Sequence, residues 1–374
     1  MKELKAYSEE PDVVRNRKNR SLLVIFTMYP HLLLNPKVSH PNEVRYLIID
    51  CDPHSGICRD NYSEFENTWH DAYEDQTIYT PTLLKDLIYF HNIEIFNGCS
   101  IRLDMKLWQQ WALNSNKLKE ITLTSHYSEQ DFFRFDQKTI ETIFKIPTLR
   151  TVKIENIELP FFPSGPSNVE NLTLIPRSYS CDFDSDSDEY HNYTIKEMIE
   201  SYSKNLCTHI NLKKIRIEKF TKFFIDSQPL LNLSKYCTNL EEIYLDFIDL
   251  ANSYESNDKD DEDYEEIVYE KLSMKRANVI EQLFKLPKLK ICTLVCSTSN
   301  DVVFNKPSSI KKFVNDNSLI FSSITHLKLL KHGDTSADFT GAPWKLADSD
   351  IIAMFKQFPN LKSCLKDDEL IFIE

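Results

Sequence analysis

The sequence predicts an α/β chain in which short parallel strands lie side by side, each preceded by a helix. Three observations predict it. Near-identical blocks recur at Ile143–Ile154 (IFKIPTLRTVKI), Leu283–Leu294 (LFKLPKLKICTL) and Met354–Leu365 (MFKQFPNLKSCL), the first two about 140 residues apart. A reduced pattern, apolar-x-x-apolar-x-apolar, recurs around them. Glycine is scarce, with 5 in 374 residues, about a fifth of the usual share. The strings GxGxxG and GxxxxGK[ST] do not occur, which excludes phosphate-cradling loops and dinucleotide folds that need glycine against pyrophosphate.

The reduced pattern fits Val44/Leu47/Ile49, Phe90/Ile93/Ile95, Leu118/Ile121/Leu123, Leu149/Val152/Ile154 and Val169/Leu172/Leu174. It continues through Leu212/Ile215/Ile217, Leu240/Ile243/Leu245, Leu289/Cys292/Leu294, Ile324/Leu327/Leu329 and a degenerate Leu361/Cys364. The short spacings between starts match a leucine-rich repeat of about 20–29 residues, and the long ones carry insertions. The last two apolar positions share one strand face because side chains alternate along a strand. One strand and one helix cannot bury that face alone, whereas stacked copies form a continuous core. Helices are expected at Thr139–Phe144, Ile195–Tyr202, Ala277–Phe284 and Asp350–Phe358 from apolar residues three and four apart. Pro147, Pro287 and Pro359 then release the chain into the strands. The expectation is an irregular leucine-rich-repeat solenoid over 44–374, with one curved parallel sheet and helices on its convex side. Residues 1–43 form an N-terminal arm or capping segment, with a capping helix in the apolar run Ser21–Leu34, since an open solenoid end needs a cap.

The segment Leu233–Leu245 (LSKYCTNLEEIYL) resembles the cysteine-containing leucine-rich repeats of F-box substrate receptors, with Cys237, Leu240, Ile243 and Leu245 in the places of a Cys-x-x-Leu-x-x-Leu-x-Leu string. Asn114–Leu123 (NSNKLKEITL) and the Pro-Asn-Leu of Phe358–Leu361 echo it. The resemblance implies a ribonuclease-inhibitor-like solenoid that recognises a protein without catalysis, joined through an F-box to a ubiquitin-ligase scaffold. Two features depart from that family. The repeats lack a regular Asn or Cys after the strand, and Ser21–Leu34 has an apolar run and an Ile-Phe pair but no opening Leu-Pro, with Pro30 inside.

The net charge of −13 disfavours duplex nucleic acid as a partner. The longest apolar stretch, Leu22–Leu34, is broken by Pro30 and His31 and is too short to span a bilayer. The nine cysteines form no CxxC pair, and no signal peptide is read, so reduced thiols in cytoplasm or nucleus are expected. Two acidic segments, Cys181–Tyr190 (CDFDSDSDEY) and Glu255–Glu270, fall where the repeat spacing stretches. They read as solvated loops; the alternative is an acidic, nuclear chaperone-like protein that captures basic partners through them. Arg15, Arg17, Lys18 and Arg20 form a small basic cluster.

Chemistry finds little footing. Cys51, His54, Cys58 and His70 do not match paired zinc-ligand spacings. Asp182, Asp184, Asp186 and Asp188 lack the Gly and closing Glu of a calcium loop. Cys292 and Cys296 read as core thiols. His91, His126, His209 and His326 stand isolated, and no Gly-x-Ser-x-Gly or HExxH string occurs. The expectation is a non-enzyme without cofactor or metal. A partner protein would meet the concave strand face, at side chains that alternate with the core: Lys153, Lys214, Arg216, Tyr244 and Lys328, centred on Arg216 and Tyr244 because Arg and Tyr are enriched among interface hot spots.

Overall fold

The computed structural model of the chain describes residues 12–15, 22–26, 44–50, 90–99, 105–124, 137–155, 161–175, 200–218, 228–247, 281–296, 321–331, 357–366 and 369–372. The chain divides into two compact units, Met1–Leu159 with Ser167–Val169, and Pro160–Pro166 with Glu170–Glu374. The fold is α/β, and each unit carries an open, largely parallel sheet whose strands follow chain order.

The N-terminal unit holds β1 (Asp12–Arg15), β2 (Leu22–Phe26), β3 (Tyr46–Asp50), β4 (Ile95–Cys99), β5 (Glu120–Thr124) and β6 (Thr151–Glu155). Strand β1 pairs antiparallel with β2, and β2 through β6 are parallel. Helices α1 (Met105–Asn114) and α2 (Gln137–Phe144) pack on each other. In the C-terminal unit β7 (Asn171–Ile175), β8 (Lys214–Ile217), β9 (Glu242–Phe247), β10 (Ile291–Cys296), β11 (His326–Lys331) and β12 (Ser363–Lys366) are parallel. Strand β13 (Glu369–Phe372) closes the edge antiparallel to β12. Helix α3 (Gln228–Tyr236) packs on the 3₁₀ turn Leu206–Thr208.

Register explains the repeat. In the C-terminal unit Leu172, Ile215, Ile243, Cys292, Leu327 and Cys364 stand opposite one another, and so do Leu174, Ile217, Leu245, Leu294 and Leu329. All are buried. The N-terminal unit repeats this with Leu47, Phe96, Ile121 and Val152. Three residues before each second-position core residue sits another fully buried aliphatic, such as Ile93, Leu118, Leu149, Leu212, Leu240, Leu289 or Ile324.

The turn leading into each strand is equally regular. The N–H of Leu118, Leu149, Leu212, Leu240, Leu289 and Leu361 donates to the carbonyl three residues earlier, at Ser115, Ile146, His209, Cys237, Leu286 and Phe358. Each of these turn residues is itself buried. The residue after the leading aliphatic then does one thing in eight of the described repeats: its carbonyl accepts two N–H groups from the next repeat. Arg45 O takes Glu94 and Ile95, Glu94 O takes Lys119 and Glu120, and Lys119 O takes Arg150 and Thr151. In the other unit Glu170, Lys213, Glu241, Lys290 and Thr325 serve the next repeat likewise. Two lone pairs on one carbonyl thereby satisfy two otherwise orphaned donors.

Several expectations are corrected. The repeat read as Phe90/Ile93/Ile95 is phased three residues too early: Ile93, Phe96 and Gly98 occupy the core places, and Ile95 stands on the outward face opposite Tyr46 and Glu120. Phe90, Ile93 and Phe96 are three apart, so the pattern fits twice, and Gly98 hides the true third place. Leu22–Phe26 forms strand β2 beside β3, not a capping helix; its β-branched and leucine content suits a strand. Helix α2 covers the expected Thr139–Phe144 and starts two residues earlier. Residues 200–202 and 281–284 are helical as expected, and the first helix runs on to 205. Residues 195–199, 277–280 and 350–356 of the expected helices lie outside the described residues, and Gln357 and Phe358 lie in the turn before β12. Helices α1 and α3 are not among those expected.

In the shortest repeat, from Leu149 to Val169, the described residues 161–168 form a strap without helix. Within the C-terminal unit Phe162 N–H donates to Ser201 Oγ at 2.9 Å, and Asn205 Nδ2 donates to Phe162 O at 2.8 Å. Gly165 N–H donates to Thr208 Oγ1 at 2.7 Å, and a Cβ at Gly165 would lie 2.6 Å from that oxygen. Phe162 is buried against the rings of Tyr202 and His209. His209 Nε2 contacts Pro163 O at 2.9 Å, so the imidazole is a satisfied core residue.

Two outcomes follow from this packing. Leu240→Ala removes a fully buried side chain from the column and should lower unfolding free energy by about 2–5 kcal/mol in denaturant titration. Burial pushes the His209 imidazole below its usual range, against a smaller opposing effect from the Pro163 carbonyl. A depressed folded-state value means stability present above the unfolded value of about 6.5, lost as pH falls below it. Wild type should therefore lose stability on acidification from pH 7 relative to His209→Gln, in which that slope disappears.

Candidate functional site

The outward face of the C-terminal sheet is set by the same register. One row reads Asn171, Lys214, Glu242, Ile291, His326 and Ser363; the next reads Thr173, Arg216, Tyr244, Thr293, Lys328 and Leu365. Side chains alternate along each strand, so these rows face away from the core by parity.

Arg216 and Tyr244 are direct cross-strand partners on β8 and β9. The Arg216 guanidinium lies 4.3 Å from the centre of the Tyr244 ring, a cation–π contact. Its Nε and Nη2 donate to a single oxygen of Glu218, two residues on and just past the end of β8. The guanidinium is thus oriented by a ring on one side and a carboxylate on another, while the Arg216 side chain keeps 50% of its exposure and Glu218 only 14%. In the adjoining row Lys214 Nζ lies 2.8 Å from Glu242. The bond to Glu242, with its charge, raises the Lys214 ammonium above its ordinary range. Lys328 on β11 is exposed, and its row neighbours Thr293 and Leu365 carry no charge.

Lys153 belongs to the N-terminal unit, on β6, where it pairs with Glu155 at 2.7 Å. The expected centre, Arg216 with Tyr244, is brought together; Lys214 lies beside it, and Lys328 is two strands beyond Tyr244 in the same row. Thr293 and Val295, expected on the open face, are buried. Thr293 is a short side chain between Tyr244 and Lys328 in the register.

A feature missed by sequence reasoning lies before the strands. Asn168, Asn239 and Asn360 each precede the leading aliphatic and donate from Nδ2 to a carbonyl of the previous repeat, at Pro147, Ile210 and Ser322, at 2.7–3.1 Å. Next to them runs an alternating-charge ladder. In one unit Glu94 bonds Arg45 at 2.5 Å and Lys119 at 2.7 Å; in the other Lys213 meets Glu170 and Lys290 meets Glu241, each at 2.8 Å. The Lys119 bond, then the Arg45 bond, holds the Glu94 carboxyl below its usual range, and Lys290 does the same for Glu241. The recurrence of Asn at 92, 168, 211, 239 and 360 was the available signal.

Buried thiols behave as core. Burial pushes Cys292 up to about 12, and burial with the nearby Cys207 pushes Cys237 up to about 12. His91 is exposed, and His326 Nδ1 lies 2.8 Å from Thr325 Oγ1. Cys51, His54, Cys58, His70, His126, the acidic segments 181–190 and 255–270, and Arg17, Lys18 and Arg20 lie outside the described residues. Among the described residues no cluster of His, Cys, Asp or Glu is placed to hold a metal ion, and no helix is long and apolar enough to cross a membrane. No protein-family model matches the chain, and no curated protein matches it in sequence.

A double-mutant cycle on Lys214 and Glu242, each to Ala, should return a coupling of about 0.2–1 kcal/mol that shrinks at high salt, because both groups are exposed.

Proposed function

We propose that the chain is a leucine-rich-repeat solenoid that recognises a protein partner on the outward face of its strands, without catalysing a reaction. The observation that carries the reading is Arg216 held on Tyr244 within an in-register row of side chains that alternate with the core. A rigid aromatic and an oriented guanidinium are the side chains that dominate binding energy in protein interfaces. Stacked parallel strands give such side chains fixed spacing, which suits an extended ligand.

Within that class we propose the role of a substrate-binding adaptor of F-box-like type in ubiquitin ligation. It rests on the resemblance of Cys237, Leu240, Ile243 and Leu245 to the receptor repeat, and all of these residues are buried as a repeat core requires. Strand β2 stands where an F-box helix would run, so the link to a ligase scaffold must involve residues other than 22–26.

Affinity purification of the full chain, followed by quantitative mass spectrometry, tests both levels. A specific partner should fall at least about fivefold in the double variant Arg216→Ala/Tyr244→Ala, the loss expected when an interface hot spot is removed. Unchanged capture by a folded double variant refutes the placement. A cullin scaffold in the eluate is expected of the adaptor; its absence removes that role and leaves recognition standing.

A further inference from the structure

Within the row Thr173, Arg216, Tyr244, Thr293, Lys328, Leu365, the cationic positions are on β8 and β11. They are separated by three strand spacings, about 14 Å at roughly 4.8 Å each. An extended peptide advances about 3.3–3.4 Å per residue, so four residues cover the same distance. Its side chains alternate, so residues i, i+2 and i+4 would face the row together while i+1 and i+3 face away. The register therefore matches a ligand with two like groups four residues apart and a third between them.

The chemistry at each place is defined. Glu218 and the Tyr244 ring fix the Arg216 plane. Glu218 takes the Nε donor and one Nη2 donor, which leaves the two Nη1 hydrogens and the second Nη2 hydrogen of the guanidinium for a ligand. Because Glu218 offsets much of its charge, Arg216 contributes directed hydrogen bonds more than net attraction. Lys328 supplies a charge with no ion pair among the described residues: it is exposed and flanked in its row by Thr293 and Leu365. Lys214 and Glu242 neutralise each other in the adjoining row. The half-buried Tyr244 and the buried Thr293 lie between the two cations, and neither carries a charge to pair with a charged middle residue.

We infer that this row binds an extended acidic peptide segment whose carboxylates are four residues apart, one on Arg216 and one on Lys328, with a small uncharged residue midway. The inference rests on the proposed role of the outward face and names its ligand class.

Fluorescence anisotropy on the full chain tests it, with labelled peptides bearing Glu at i and i+4. Saturable binding is expected. It should weaken at least about tenfold when either Glu becomes Gln, when the second Glu moves to i+3, or in Lys328→Gln, an exposed substitution that leaves the core intact. Arg216→Lys, which keeps the charge and loses the planar fork, should weaken it as well. Equal binding of the Gln peptides, or binding unmoved by both variants, overturns the assignment. Binding only by a phosphoserine version overturns the carboxylate choice. If no acidic peptide binds while Arg216→Ala/Tyr244→Ala still depletes a purified partner, the acidic class is wrong and the recognition role survives; if neither effect is seen, both fall.

Discussion

The interaction on which the rest depends is the shared carbonyl before each strand. Arg45, Glu94, Lys119, Glu170, Lys213, Glu241, Lys290 and Thr325 each accept two N–H groups from the following repeat. This bond pair sets the stagger between neighbouring strands before the ladder begins. A slip by one residue would exchange the core and outward faces along a whole strand, exposing residues such as Ile215 and Leu245 and burying Arg216 and Tyr244. The hydrophobic column and the backbone fork demand the same register, and such agreement between levels gives a single native arrangement.

Because the fork is made by backbone, it is indifferent to side chain, and the side chains at that place are free to do something else. They form the alternating ladder of Arg45, Glu94 and Lys119, and of Glu170 with Lys213 and Glu241 with Lys290. Exposed pairs of this kind contribute little each, so the ladder is better seen as guarding register than as holding the fold together. Asn168, Asn239 and Asn360 reinforce the same seam from the turn. What lies between one strand and the next lead-in turn is then weakly constrained. Helices α1, α2 and α3 fill that interval in some repeats, and the Phe162–Gly165 strap fills it in the shortest, with its polar backbone satisfied by Ser201, Asn205 and Thr208.

Much of this was legible in the sequence because a repeat fold writes its core at fixed spacing. The second and third apolar places were read correctly wherever branched aliphatics filled both, as at Ile121/Leu123 and Ile243/Leu245. The reading slipped at Phe90–Gly98, where aromatic and aliphatic residues three apart allowed two phases and a glycine occupied a core place. It slipped at Leu22–Phe26, because an apolar run of that length fits a buried helix or strand equally. Strand parity placed Arg216 and Tyr244 on one face, but their meeting depends on the stagger between β8 and β9, which no single strand encodes. The burial of Thr293 is likewise not written in the alternation of its own strand, which places it outward.

The division of labour between faces has a consequence for how such a surface works. The buried Ile215, Ile217, Ile243 and Leu245 of β8 and β9 are constrained by volume, since a protein core is close-packed and a lost methylene is felt. Lys214, Arg216, Glu242 and Tyr244 on the outward face are not buried and carry no such constraint, and their spacing is set for them by strand separation. Arg216 needs Tyr244 and Glu218 only to hold its plane; Arg216 and Tyr244 stand on paired strands, and Glu218 follows directly on the end of β8. Ordering these side chains in advance lowers the entropic cost that a ligand would otherwise meet on binding. Selectivity in such an arrangement comes from the distances between rows and strands: a ligand whose groups do not match the strand period can engage Arg216 or Lys328, but not both.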